Sequence, residues 1–350
     1  MSSRYRLFGL AFDALALTGA DRALRPWAQG LGAILTLHRV RPWEESAFAP
    51  NRLLEVTPDF LDRAIARAKQ AGFIFVELDE ALVRLKGAGK HRFLTLTFDD
   101  GYRDTLEEAL PVLEHHGVPA TVFVTPGFAE RTAPLWWVDL ERSIAGADEV
   151  EVDLGSGSSE AIPARTAAEK REAFARLYAT LRAGPEQRLR TVIAGLAAAQ
   201  GIDSAAVAGE LCLDWDGIRA LAAHPLVTIG AHTLTHPMLA KHDVFTVCRE
   251  MDESRRIIAE QIERAVRHIS YPVGDPASAG PREFELAREL GFRAGVTTRP
   301  GMLFPDHAQH PTALPRLSLN GHFQSTRQLD VLLAGLPSLL WNRGRRLSVA

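Results

Sequence analysis

From Ile34 onward the chain alternates apolar runs of strand length with longer runs of helical period, and this alternation restricts its fold more than any other feature. Strand-like runs fall at Ile34 to His38, Phe73 to Leu78, Phe93 to Phe98, Thr121 to Thr125, Val227 to Ala231, Val266 to Tyr271, Arg293 to Thr297 and Leu314 to Leu319. Helical runs over 58–71, 103–116, 246–265 and 282–290 separate them. Such an order predicts parallel strands joined by helical crossovers. Gly72, Gly117 and Gly291 each follow a helical run and precede a strand, where a helix C-cap belongs. With 350 residues, 46% of them hydrophobic, the chain can bury one large core and an insertion. The expected class is α/β, a distorted (β/α) barrel of about seven strands, with an open doubly wound sheet as the alternative.

Between Pro126 and Trp215 the strand rhythm stops. A Gly/Ser-rich turn at Gly155 to Ser159 and helical runs at 167–183 and 187–200 replace it, so the stretch 127–215 reads as a helical insertion on the active-site side. Trp136, Trp137 and Trp215 border it, either as stacking surfaces for a bound ligand or as packing. The expected organisation is an N-terminal amphipathic segment (1–30), the barrel with its insertion (31–322) and a C-terminal helical extension (323–350).

Chemistry concentrates at two strand ends. The run Thr97-Phe98-Asp99-Asp100-Gly101-Tyr102 closes an apolar strand with adjacent carboxylates and a turn glycine. Successive side chains of a strand point different ways, so one carboxylate can hold a metal while its neighbour stays free as a base. The run Val227 to Ala231 breaks into His232-Thr233-Leu234-Thr235-His236, and on one helical turn that spacing puts both imidazoles on one face. Two imidazoles and a carboxylate match a catalytic zinc site with an open position. Cys212 and Cys248 are the only cysteines and form no C-x-x-C, which argues against a structural zinc built on paired cysteines. A two-histidine, one-carboxylate iron oxygenase would use the same ligand set, though the second carboxylate suits water activation better.

T-F-D-D-G-Y followed by A-H-T-L-T-H resembles the polysaccharide deacetylases, the nodulation-protein-B homology family of carbohydrate esterases. The resemblance implies a distorted barrel and one divalent metal, commonly zinc, held by Asp100, His232 and His236, with Asp99 as the catalytic base. It implies hydrolysis of N-acetyl groups from an amino-sugar glycan, with sugar O-deacetylation and non-catalytic carbohydrate binding as alternatives. By the same likeness Tyr102, Tyr271, Pro272 and Val273, with Trp136 and Trp137, fall where substrate is bound, and a backbone N–H near Val273 is a second donor to the oxyanion.

The pattern departs from the family in three places. Ser270-Tyr271-Pro272-Val273-Gly274 carries serine where the family motif has arginine and valine where it has tyrosine. Arg316, at the end of a late strand, either replaces that arginine or caps the strand. Thr297-Thr298-Arg299 stands where an aspartate-tryptophan pair is usual. No leucine-histidine motif follows Phe323; instead His38 ends the first strand, as in the circularly permuted branch that resembles exopolysaccharide poly-N-acetylglucosamine deacetylases. That branch makes His38 the general acid, expected across the metal from Asp99.

A formal charge of -3 supplies no basic field for nucleic acid. Arg4 and Arg6 precede an apolar run from Leu7 to Leu17, but Asp13 interrupts it, and Phe8, Ala11, Phe12 and Leu15 keep the phase of an amphipathic helix rather than a secretory signal. Val331 to Trp341 is apolar over about half the ~20 residues a membrane span needs, and Arg343, Arg345 and Arg346 follow it. The expected location is cytoplasmic, with peripheral contact to the inner membrane through this basic end.

Overall fold

A computed structural model describes residues 9, 12, 14, 15, 17–87, 89–155, 157–347 and 349. The strands in chain order are β1 (Gly32–Leu37), β2 (Arg39–Val40), β3 (Glu55–Val56), β4 (Ile74–Phe75), β5 (Phe93–Phe98), β6 (Ala120–Val124), β7 (Glu149–Val152), β8 (Glu160–Pro163), β9 (Val227–Ala231), β10 (His268–Ser270), β11 (Ala294–Pro300) and β12 (Leu314–Ser318). Seven of them close a parallel ring in the order β1-β12-β11-β10-β9-β6-β5, with β5 pairing back to β1. The closed barrel prevails over the open sheet because Gly32 to Leu37 of β1 pair in register with Phe93 to Phe98 of β5 while β12 takes the other edge of β1.

Both faces of these strands are buried, as parallel strands under helices must be. Leu94, Leu96 and Phe98 pack under the outer helices, with Phe60, Leu61, Ile65 and Leu113 in one core. The alternate set faces the barrel axis. At its lower end Ile34, Phe93, Phe123, Val296 and Leu314 meet Leu78, Ala81 and Leu85 of the helix Leu78–Leu85, which plugs the barrel. Two residues further up stand Thr36 and Thr95, and above them the axis-facing positions become Thr97, Asp99, His38 and Arg316. The axis thus runs from hydrocarbon to charge toward the carboxyl-terminal rim, where a (β/α) barrel places its chemistry.

The expected run Phe73 to Leu78 is shorter in the structure. Ile74–Phe75 pairs with the lower half of β5, outside the ring, because Val76 and Leu78 turn in beneath the barrel. The expected helix 103–116 is split into a π-helical turn, Thr105–Ala109, and an α-helix, Leu110–His116. Gly117 ends that helix at φ 61, the left-handed conformation of a C-cap.

Helices Pro126–Ala129, Trp136–Gly146, Ala167–Ala183, Glu186–Ala199 and Ser204–Leu211 form the insertion, with its own apolar core. It also contains an antiparallel hairpin, β7–β8, whose turn is the Gly/Ser-rich stretch that interrupts the helical pattern. At its far end the insertion returns to the barrel: Tyr102 bridges Cys212, Arg103 N–H donates to Leu211 O and Leu213 N–H to Gly101 O. Helices Thr326–Leu333 and Leu336–Trp341 form the C-terminal extension, and Leu329 and Leu333 enter the main core. The expected N-terminal amphipathic phase includes Phe8 and Ala11, which lie outside the described residues; Leu15 packs near Ala28, Leu336 and Leu339. Among the described residues no single helix is long and apolar enough to cross a membrane.

Candidate active site

Asp99 continues β5 and points to the axis, where Arg316 of β12 meets it with a bidentate pair, Nη1 to Oδ1 at 2.8 Å and Nη2 to Oδ2 at 2.6 Å. All five guanidinium N–H donors are used. Nε donates to Thr297 O at 2.8 Å, Nη1 also to Thr97 Oγ1 at 3.1 Å and Nη2 also to Ser270 Oγ at 3.0 Å. Both side chains are buried, at 0% and 2% exposure, so removing either partner would strand a charge at a cost of about 3–5 kcal/mol. Burial opposes ionisation of Asp99, but the Arg316 charge and hydrogen bonds, with the nearby His232 and His38, together outweigh it and hold the carboxyl below its ordinary value. Arg316 is therefore a partner of Asp99 and not a surface cap. Ser270, standing where the family motif has arginine, receives this arginine from another strand.

Asp100 leaves the strand line. Its φ of 71° is left-handed, as is that of Gly101 at 66°, and a Cβ at Gly101 would approach Val124 Cγ1 to 3.1 Å. This turn swings the second carboxylate toward β9. His232, the residue after β9, places Nε2 at 3.4 Å from Asp100 Oδ1, and His236 Nε2 lies at 3.4 Å from the same oxygen. The two histidines do not share a helical turn. They are joined by an irregular loop in which Thr233 and His236 have φ of 62° and 59°; the His236 N–H, which would close a helical turn onto His232 O, donates instead to Thr233 Oγ1 at 3.1 Å, and Glu250 of the helix Val244–Ile262 accepts from the Leu234 and Thr235 N–H groups.

The donor set fits a divalent cation. Ser270 O can only accept, so the 2.7 Å contact puts the proton of His232 on Nδ1 and leaves Nε2 a lone pair aimed at Asp100. Asp100 Oδ1 is buried without a hydrogen-bond partner. Acceptors gathered around a buried carboxylate oxygen, with ligand atoms within 4.8 Å of one another, leave their charge uncompensated unless a cation lies between them.

His38 follows β1 just as Asp99 follows β5, and Leu37 pairs with Phe98. The two are thus register neighbours, with His38 Nε2 4.0 Å from Asp99 Oδ2, rather than groups facing each other across the site. His38 keeps 21% side-chain exposure. Burial lowers its pKa, against the pull of Asp100 and Asp99. Asp104 fixes the chain behind it, accepting from Arg39 Nε at 2.8 Å and from Val40 N–H at 3.0 Å.

The aromatic positions expected to bind sugar do something else. Trp136 and Trp137 are 3% and 6% exposed, in the core of the insertion, and offer no ring face to a ligand. Trp137 Nε1 donates to Tyr102 Oη at 3.0 Å, and its ring packs 4.9 Å from that of His236. Tyr102 and Tyr271 are fully buried, Tyr271 Oη donating to Thr312 O at 2.6 Å. Trp215 donates to Glu130 across the outside of the barrel. Pro272 is buried and Val273 half-buried, with φ 61° at the turn after β10, so the rim contribution of this segment is its backbone. Ser270, Glu250 and Asp104 escape sequence reasoning, since their importance comes from partners on other strands and loops.

The polysaccharide deacetylase family model matches residues 86–295, a segment that holds Asp99, Asp100, His232 and His236 but neither His38 nor Arg316. Among solved structures the chain is similar to the Streptococcus pyogenes deacetylase PplD in complex with acetate, at 19% identity and a TM-score of 0.55, covering 85% of this chain and 96% of that one. It is similar to IcaB from Ammonifex degensii at 18% identity and TM-score 0.53, covering 87% and 98%, and to BC0361, a polysaccharide deacetylase from Bacillus cereus, at 13% and 0.54, covering 86% and 68%. At these identities the likeness concerns the fold. No curated protein matches the sequence. Because the family model spans more than half of the chain, including both carboxylates and both histidines, this protein belongs to the polysaccharide deacetylase family, whose members are hydrolases acting on carbon–nitrogen bonds.

Proposed function

We propose that the protein hydrolyses N-acetyl groups of an amino-sugar glycan, with Asp99 as base, His38 as acid and Asp100, His232 and His236 holding one divalent ion, zinc by donor type. One observation carries the reading: a carboxylate locked by Arg316 stands beside a second carboxylate that faces two imidazoles at 3.4 Å. The bound ion would supply Lewis acidity toward the acetyl carbonyl and toward water.

Asp99, kept ionised by Arg316, accepts a proton from the attacking water. The bidentate pair fixes which oxygen faces the rim, so the base is oriented before substrate arrives. Burial lowers the pKa of His38, and its Nε2, 4.0 Å from Asp99 Oδ2, can take up the captured proton through one bridging water. From His38 it goes to the departing nitrogen, the carbon–nitrogen bond breaks, and acetate and a free amine result. By family likeness the Val273 backbone N–H, at the turn after β10, would be a second donor to the oxyanion. An ester would need His38 less, since its leaving group requires little protonation.

Acetate release from matched N-acetylated and O-acetylated glycans by the zinc-loaded protein tests the reading. Release from the N-acetylated set supports it, and release only from O-acetylated glycans would replace it with sugar O-deacetylation. The proposed location is cytoplasmic and peripheral to the membrane. Its support is the exposed Leu340 and Trp341 beside Arg343, Arg345 and Arg346, and cell fractionation checks it.

A further inference from the structure

His232 and His236 are held in different ways. The His232 ring is oriented by its Nδ1 contact with Ser270 O at 2.7 Å, the support usual for a metal-binding imidazole. Among the described residues His236 Nδ1 has no hydrogen-bond partner, although it is buried. Its backbone is left-handed at φ 59°, a conformation that a residue with a side chain adopts only when its surroundings enforce it. Whatever orients His236 must therefore act through its backbone and through packing on its ring.

The loop itself supplies one bond, His236 N–H to Thr233 Oγ1 at 3.1 Å, and His232 packs on the ring at 4.9 Å; the insertion adds contacts of both kinds. Arg190 of the helix Glu186–Ala199 donates from Nη2 to Thr235 O at 3.2 Å and His236 O at 3.3 Å. Glu186, one turn earlier and 3% exposed, aligns that guanidinium by accepting from its Nε at 3.0 Å and Nη2 at 2.8 Å. The other Glu186 oxygen accepts from Met238 N–H at 2.8 Å and meets His242 Nε2 at 2.9 Å, so one carboxylate grips the loop on the far side of His236. Lys241 closes the grip by donating to Gly184 O at 2.6 Å. Trp137 and Phe128, also from the insertion, pack on the His236 ring at centroid distances of 4.9 and 5.6 Å.

We propose that Glu186 and Arg190 are positioning residues for the metal ligand His236, so that the helical insertion completes the metal site from outside the barrel. The inference rests on the reading of Asp100, His232 and His236 as ligands. Arg182, at the end of the preceding helix, extends the brace to the rim loop after β10 by donating to Asp275 Oδ2 at 2.8 Å and Ser278 Oγ at 3.3 Å.

The test is zinc affinity by competition with a chelating dye, together with the visible spectrum of the cobalt-loaded protein, in the full chain. Arg190→Ala and Glu186→Gln should each weaken zinc binding by about 10- to 100-fold, the usual loss when support behind a ligand is removed, and should change the cobalt spectrum. Arg190→Lys should recover part of the affinity, and Arg188→Ala, on the same helix but with its side chain donating to Leu154 O among the described residues, should leave it unchanged. Circular dichroism establishes that each variant folds; if Arg190→Ala does not, Arg190→Lys and Glu186→Gln carry the test. Folded variants with wild-type affinity and an unaltered cobalt spectrum would overturn the positioning role. Failure of the wild-type protein itself to bind zinc or cobalt would instead overturn the ligand reading beneath it.

Discussion

The two halves of the site are built by different means. Asp99, His38, Arg316 and His232 stand on or just after barrel strands, where parallel pairing sets their spacing and buried partners set their orientation. His236 stands on an irregular loop, with strained backbone and an unpartnered Nδ1, and is held by Glu250 on one side and by the insertion on the other. Strand-borne groups need only their own short range of sequence and the closure of the barrel. A loop-borne ligand needs restraint imported from elsewhere in the chain, and here an entire helical insertion helps to provide it.

Asp100 is where the halves meet, since both imidazoles face one of its oxygens. The largest expected effect follows: Asp100→Ala should lose bound zinc altogether and activity with it. Stoichiometric zinc in that variant, measured by elemental analysis, would separate the two halves. Within the strand-borne half, Asp99→Asn should keep the metal and lose turnover by about 10²- to 10⁴-fold, the range expected when a general base is removed. Steady-state rates beside zinc content decide this, and retained turnover would assign the base elsewhere.

His38→Ala should approach that loss on an N-acetyl substrate and cause little on an activated acetate ester, because only the amine must be protonated on departure. Equal losses on the two substrates, or greater sensitivity at His322, would remove His38 from the acid role. The smallest effect belongs to the insertion. Glu141, on the helix Trp136–Gly146, has its pKa raised from 4.5 to about 7 by burial. The folded state then holds a proton that the unfolded state releases, so this group lowers stability as pH rises from about 4.5 to about 7. Glu141→Gln, which can still accept from Asn51, should gain thermal stability relative to wild type at pH 8 and little at pH 4. A gain independent of pH would show that charge burial is not its cause.

How much of this was legible beforehand differs between the halves in the same way. The runs Phe93–Phe98 and Val227–Ala231 coincide with β5 and β9, because a buried parallel strand announces itself in a short stretch of β-branched and apolar residues. The adjacent carboxylates and the two histidines could be read as one site because local pattern placed both at strand ends. The path between His232 and His236 could not, since the helical turn that their spacing suggests gives way to left-handed backbone at Thr233 and His236, with the His236 N–H bonded to Thr233 Oγ1 and the loop tied to Glu250 of the next helix. The tryptophans were left between two roles for a related reason: an aromatic pair beside a site has the same composition whether it faces sugar or packs on a ligand ring, and only burial distinguishes the two.

By itself the sequence determined the strand and helix order, the family and the residues able to carry the chemistry, all of which depend on local periodicity and short motifs. Tertiary structure alone decided that Arg316 pairs with Asp99 across β12, β1 and β5, that His38 is the neighbour of that carboxylate, and that the insertion grips His236. These contacts join residues far apart in the chain. They exist only once the barrel has closed and brought its first and last strands together, and no local pattern encodes that closure.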